Sequence, residues 1–177
     1  MSSKIKKEII SWAKTILFSV VIAYMVIQLI VPTIVSGESM YPTLNDRDYL
    51  IIDKISYKLS DIEKGDIVVF KTDFTQENGE RVDYIKRVIA TEGDHIEIEN
   101  SNVYVNGELL QESYINNSYT DGMIDTTVPK GTIFAMGDNR QFSKDSRMSD
   151  VGMILEENII GKVMVRLLPF NNIGIPK

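Results

Sequence analysis

The sequence has no cysteine and a single histidine, His95, among its 177 residues. The first absence excludes disulfides, thiolate nucleophiles and Cys-ligated metal sites. The second excludes a His-rich metal centre. A magnesium or calcium site built from carboxylates alone stays open, although no calcium-loop spacing occurs. With so little imidazole, any serine nucleophile must look elsewhere for a base, and lysine is the natural candidate. Positive charge is outnumbered by negative beyond the N-terminus. Before Ser36, Lys4, Lys6, Lys7 and Lys14 face only Glu8; thereafter 15 of the 19 Lys and Arg meet 24 of the 25 Asp and Glu, a net of −9. An acidic body of this kind repels phosphates, so no nucleic-acid partner is expected.

What the chain does have is a long apolar run. Thr15 to Gly37 contains no charge over 23 residues. As a helix it would measure roughly 34 Å, enough to cross a hydrocarbon core of about 30 Å. A cleaved secretory signal would be shorter and end in a small-x-small site, whereas this run ends in Ile34 and Val35. A retained anchor over residues 15–35 is therefore expected. The basic flank predicts a cytoplasmic segment 1–14 and an extracytoplasmic domain 36–177. Pro32 is expected to kink or end the helix.

The remainder reads as strands. Tyr49–Ile52, Asp66–Phe70, Val82–Ala90, His95–Glu99, Val103–Val105, Thr132–Met136 and Gly161–Leu168 have β composition. Asn78-Gly79 and Asn106-Gly107 are tight-turn signals. One helical turn is expected near Met153–Asn158. The Gln111–Lys130 segment, rich in Ser, Asn, Thr, Asp and Gly, reads as a surface loop. Short strands at regular spacing predict a mainly antiparallel β fold after the anchor, not βαβ units.

Three places can carry chemistry. Ser39, in Ser36-Gly-Glu-Ser-Met-Tyr-Pro-Thr-Leu44, follows the anchor directly and needs a base to act as a nucleophile. Lys86 lies between apolar neighbours in a predicted strand. It either faces the interior, where burial lowers its pKa and makes it a base, or snorkels to solvent. His95 reads as a half-exposed strand residue. The block Gly137–Arg147, with its Asp, Asn, Arg and Ser, is either a solvated loop or a hydrogen-bonded network in which Asp145 and Arg147 pair.

Together, four blocks in order resemble the type I signal peptidases, membrane-bound serine proteases. They are Ser36–Leu44, Gly65–Phe70, Tyr84–Asp94 and Met136–Arg147, with Ile160-Gly-Lys-Val following. The compact Gram-positive form is the nearest in length. The resemblance implies a Ser–Lys dyad of Ser39 and Lys86, an antiparallel β catalytic domain, and no metal or organic cofactor. It implies that Ser143 hydrogen-bonds and orients the lysine, and that Asp145 holds Arg147 and Arg87. Substrates would be precursor proteins carrying signal peptides with small residues at −1 and −3, and the bilayer would be the other partner.

Gly37 stands where many relatives carry a hydroxyl, which leaves the oxyanion to backbone donors, foremost the Ser39 amide. An extended substrate would add to a strand edge, with Phe70, Tyr84 and Ile85 lining shallow pockets. Met40 and Tyr41 either dip into the membrane interface or pack on the sheet. Two rivals are a self-cleaving repressor-type Ser–Lys protease and a tethered binding protein with a degraded site. The anchor and the acidic domain oppose the first, and the full set of site residues opposes the second.

Overall fold

A computed structural model describes residues 3–55, 61–116 and 119–176. Met1, Ser2 and Lys177, the side chain of Lys4, and Asn117 and Ser118 of the expected loop lie outside the described residues. Helix α1 covers Ser3–Leu29, and its Ile5–Leu29 stretch is long and apolar enough to cross a membrane. None of that stretch is buried within the protein. The expected 15–35 helix is corrected at both ends. It begins earlier, through the lysine-bearing segment, and it stops at Leu29. Ile30–Ile34 form strand β1 instead. Pro32 has no N–H to give a helix and clashes with the carbonyl four residues back, while an edge strand tolerates it.

Ten further strands follow: β2 (Tyr49–Asp53), β3 (Ile67–Thr75), β4 (Arg81–Ala90), β5 (His95–Glu99), β6 (Asn102–Val105), β7 (Glu108–Leu109), β8 (Ile124–Thr127), β9 (Thr132–Met136), β10 (Ile154–Leu155) and β11 (Ile159–Leu168). All pairings are antiparallel. One sheet has the order β1-β2-β11-β3-β4-β9-β10 and the other β7-β6-β5-β8. The expected mainly antiparallel β architecture with one N-terminal apolar helix is what the protein adopts. Asn106 and Gly107, at φ 55° and 80°, make the tight turn between β6 and β7. The expected helical turn is a 3-10 turn at Glu156–Asn158.

The loop expected over Gln111–Lys130 is corrected by β8, which pairs along β5 from His95↔Thr127 to Ile98↔Ile124. Local composition there favours a loop, but the open edge of β5 supplies backbone partners that composition does not reveal. Three apolar clusters hold the sheets together. One unites Ile96, Ile98 and Val103 of the small sheet with Ile89, Phe134 and Met136 of the large one. A second gathers Val35, Met40, Leu44, Leu50, Ile52 and Val69 beneath the loop after β1. A third packs Val68, Phe70, Val88, Ile133 and Ile159. Each such side chain contributes roughly 1.5–3 kcal/mol on burial. Met40 is 2% exposed. It packs inward and pins the residue before it, Ser39. Tyr41 stays exposed.

Candidate active site

Strand β4 sits between β3 and β9, and its second half is buried from Lys86 to Ala90. Lys86 lies opposite Val68 and is 2% exposed, so of the two readings of this lysine the buried one holds. Its Nζ is 2.8 Å from Ser39 Oγ and donates at 2.9 Å to the Ile85 carbonyl. The amine also lies 5.0 Å from the centre of the Tyr84 ring. Burial, which disfavours the ammonium, lowers its pKa from 10.5 to about 8. Asp145 and Asp138 pull the value back up and Arg147 opposes them.

The serine loop is held from several directions. Gly37 adopts φ +94°, and its N–H donates to Asp46 Oδ1 at 2.9 Å, which removes that amide from any oxyanion. Asn139 donates twice, from its backbone N–H to the Ser39 carbonyl and from Nδ2 to the Glu38 carbonyl, both at 3.0 Å. Leu44 N–H reaches the Met40 carbonyl at 2.8 Å. The loop is therefore fixed to the residues that follow β9.

Those residues pair differently from expectation. Asp145, fully buried, does hold Arg147, accepting from Nε at 2.8 Å and from Nη2 at 2.9 Å. It does not hold Arg87. Arg87 forks onto Asp138, with Nε–Oδ1 2.9 Å and Nη2–Oδ2 2.7 Å. The register explains this. Arg87 pairs with Met136, the last residue of β9, so Asp138 is the carboxylate that emerges beside it. Asp145 has folded back to accept the Gly137 N–H at 2.9 Å.

Ser143 is 4% exposed, and its Oγ has no hydrogen-bond partner among the described residues. The expected bond from Ser143 to Lys86 is absent; the amine's hydrogen-bond partners among the described residues are Ser39 and Ile85.

Sequence reasoning missed several members of this network. Thr43 donates to Asp138 Oδ2 at 2.5 Å and accepts from Arg87 Nη2 at 3.3 Å, joining the serine loop to β4. Arg140 is buried, pairs with Glu112 and donates to Thr120 Oγ1 at 2.8 Å. The Tyr114 ring lies 4.0 Å from the Arg87 guanidinium carbon. Asp138 and Arg140 stand in the polar block already singled out. Tyr114 donates to Glu112 Oε1 at 2.9 Å, but the arginines this pair serves, Arg140 and Arg87, lie 28 and 27 positions away in sequence, so no local signal marks its role.

Beside Ser39 runs a cleft of about 460 Å³, walled by Val31, Thr33 and Ile34 of β1 and by Arg81–Lys86 of β4. Strand β9 covers β4 only from Arg87 to Ala90, which leaves the first half of β4 with one neighbour. Tyr84 and Ile85 line this cleft. Phe70 does not. It is 2% exposed, and its ring meets the edge of Tyr84 at 6.1 Å from within the core. His95 lies on the small sheet with its Nε2 2.8 Å from Asp125 Oδ1 and does not line this cleft.

Comparison with known proteins gives a consistent picture. The family described as "Signal peptidase, peptidase S26" matches residues 9–168. Signal peptidase IB of Staphylococcus aureus (strain COL) is 37% identical over 185 aligned positions, covering 94% of this chain and 93% of that protein. Signal peptidase I S of Bacillus subtilis (strain 168) is 35% identical over 178 positions, covering 94% and 92%. A crystal structure of a signal peptidase I from Enterococcus faecalis V583 is 30% identical, with a TM-score of 0.47, covering 59% of this chain and 98% of that one.

Proposed function

The chain belongs to the signal peptidase family, peptidase S26, and from that premise we propose that it cleaves signal peptides from exported precursors with a Ser39–Lys86 dyad. The observation that carries this reading is the 2.8 Å contact between the Ser39 hydroxyl and the amine of a lysine that is only 2% exposed. An amine with a pKa of about 8 is neutral often enough near neutral pH to accept a proton. As Ser39 Oγ bonds to the scissile carbonyl carbon, its proton passes to Lys86 Nζ and the carbonyl oxygen takes up negative charge. The Ser39 amide is the donor best placed for that oxyanion, since the Gly37 amide is committed to Asp46.

Collapse of this intermediate breaks the C–N bond, and Lys86 returns the proton to the leaving amine. Water then hydrolyses the acyl-serine with Lys86 again accepting a proton. Asp145 and Arg147 brace the Gly137 backbone, and Arg87 with Asp138 braces the strand of the base. Ser143 belongs to this reading as an orienting group that would engage Lys86 only after a local rearrangement, since its buried hydroxyl has no partner among the described residues.

The substrate is an extended segment laid between the free edge of β1 and the open half of β4. Tyr84 and Ile85 keep the adjoining pockets shallow, which favours alanine-sized residues at −1 and −3. Helix α1 is the anchor, with the N-terminus cytoplasmic and the β domain on the far side of the membrane.

Purified full-length protein is expected to cut a precursor with an Ala-x-Ala site. Ser39→Ala and Lys86→Ala should each lower the rate by at least about 10³-fold with unchanged circular dichroism. Retention of activity in the Lys86 variant would refute the dyad.

A further inference from the structure

Ser39 stands between two depressions. The larger is the cleft already described. The second, of about 250 Å³, has walls of Glu38, Tyr41, Asn116, Asn139 and Phe142 over a floor of Asp138 and Arg140. Glu38 and Phe142 line both depressions, so they form the sill where the two meet, and the nucleophile is next in sequence to that sill. A peptide that fills the cleft with its signal-side residues must continue past Ser39, and the way on leads over Glu38 into the second depression.

The charges there are unequal in availability. Asp138 is saturated by Arg87 and Thr43, and Arg140 by Glu112 and Thr120. Lys144, which reaches the cleft side, is held by Asp150 at 2.6 Å. Glu38 is exposed and forms no ion pair among the described residues; only its backbone carbonyl is used, by Asn139 and Tyr41. The exposed rings of Tyr41 and Phe142 line the same depression as Glu38. An exposed carboxylate that shares a depression with two aromatic rings suits a cationic side chain, whose methylene stem covers apolar ring surface while its head reaches the acid.

We infer that this depression receives the first two residues of the mature protein, and that Glu38 selects for positive charge there. The inference rests on the protease reading given above. Its test uses full-length protein in micelles of a neutral detergent, so that no lipid charge contributes. The substrates are peptides sharing one Ala-x-Ala site, with Lys, Ser or Asp at both +1 and +2.

The wild type should favour the Lys peptide over the Asp peptide in kcat/KM by roughly three- to tenfold, the scale of one or two exposed charge contacts. That ratio should fall toward one in 1 M salt, where the screening length is about 3 Å. Glu38→Gln should remove the preference and Glu38→Lys should invert it. A wild-type ratio of one, or a ratio that Glu38→Gln leaves unchanged while the peptides are still cut, overturns the subsite and leaves the protease reading standing. Failure of the wild type to cut any of the peptides overturns both.

Discussion

Burial that lowers the pKa of Lys86, and so suits it to the proposed role of base, comes at a cost in stability. An ordinary lysine is almost wholly charged at pH 7, whereas a pKa of about 8 leaves roughly a tenth of the molecules neutral. The cleavage rate should therefore rise about tenfold per pH unit below 8 and level off above it. The same shift acts on folding. Between about 8 and 10.5 the unfolded chain holds a proton that the folded chain has released, so stability rises with pH across that window and the penalty is complete below it. Lys86→Met should accordingly be inactive yet more stable than the wild type at pH 7, by about 1–3 kcal/mol. Urea unfolding at pH 7 and pH 10 checks this, with a smaller difference expected at the higher pH. A less stable variant at pH 7 would contradict the assignment of burial as the dominant cause.

Among the elements, the join between the end of β9 and the serine loop decides whether Ser39 and Lys86 meet. A Cβ on Gly137 would lie 2.2 Å from Ser143 Oγ and 2.4 Å from the Ser39 carbonyl oxygen, closer than atoms approach. The residue has no positive φ, so close approach is what selects glycine here. Gly137→Ala should push the serine loop off Lys86, lowering kcat/KM by at least about 100-fold and stability by about 1–3 kcal/mol. Peptide cleavage and thermal unfolding of the variant measure the two effects, and near wild-type activity would show that the join tolerates slack.

This element also marks where the sequence ceases to be legible. The polar block Gly137–Arg147 stands out by composition, and the Asp145–Arg147 pair follows from proximity. The pairing of Arg87 with Asp138 instead of Asp145 depends on the β4–β9 register. Arg87 meets Met136, and Asp138 follows two residues later. The stacking of Tyr114 on Arg87 joins two segments that no local pattern connects.

For the whole molecule, the division between helix and domain falls at Leu29, before the end of the apolar run. Ile30–Ile34 pair with β2 in full register and wall the cleft beside Ser39. A chain beginning at Ile30 keeps that wall, and one beginning at Ser36 loses it and leaves the outer edge of β2 unpaired. The second truncation should unfold at a lower urea concentration and cleave peptides at least about tenfold more slowly than the first. Equal behaviour of the two would remove β1 from the substrate site.

The apolar helix, the alternating strands and the candidacy of Ser39 and Lys86 were determined by the sequence alone, because each rests on side-chain type or on a period of two along one short segment; which way Lys86 faces was not. Strand β8, the early end of the helix, the two carboxylate–arginine pairs and the second depression beside Glu38 were decided only by tertiary structure. Each of these depends on which strand edge or guanidinium lies opposite, and antiparallel pairing across tens of residues sets that, not local composition.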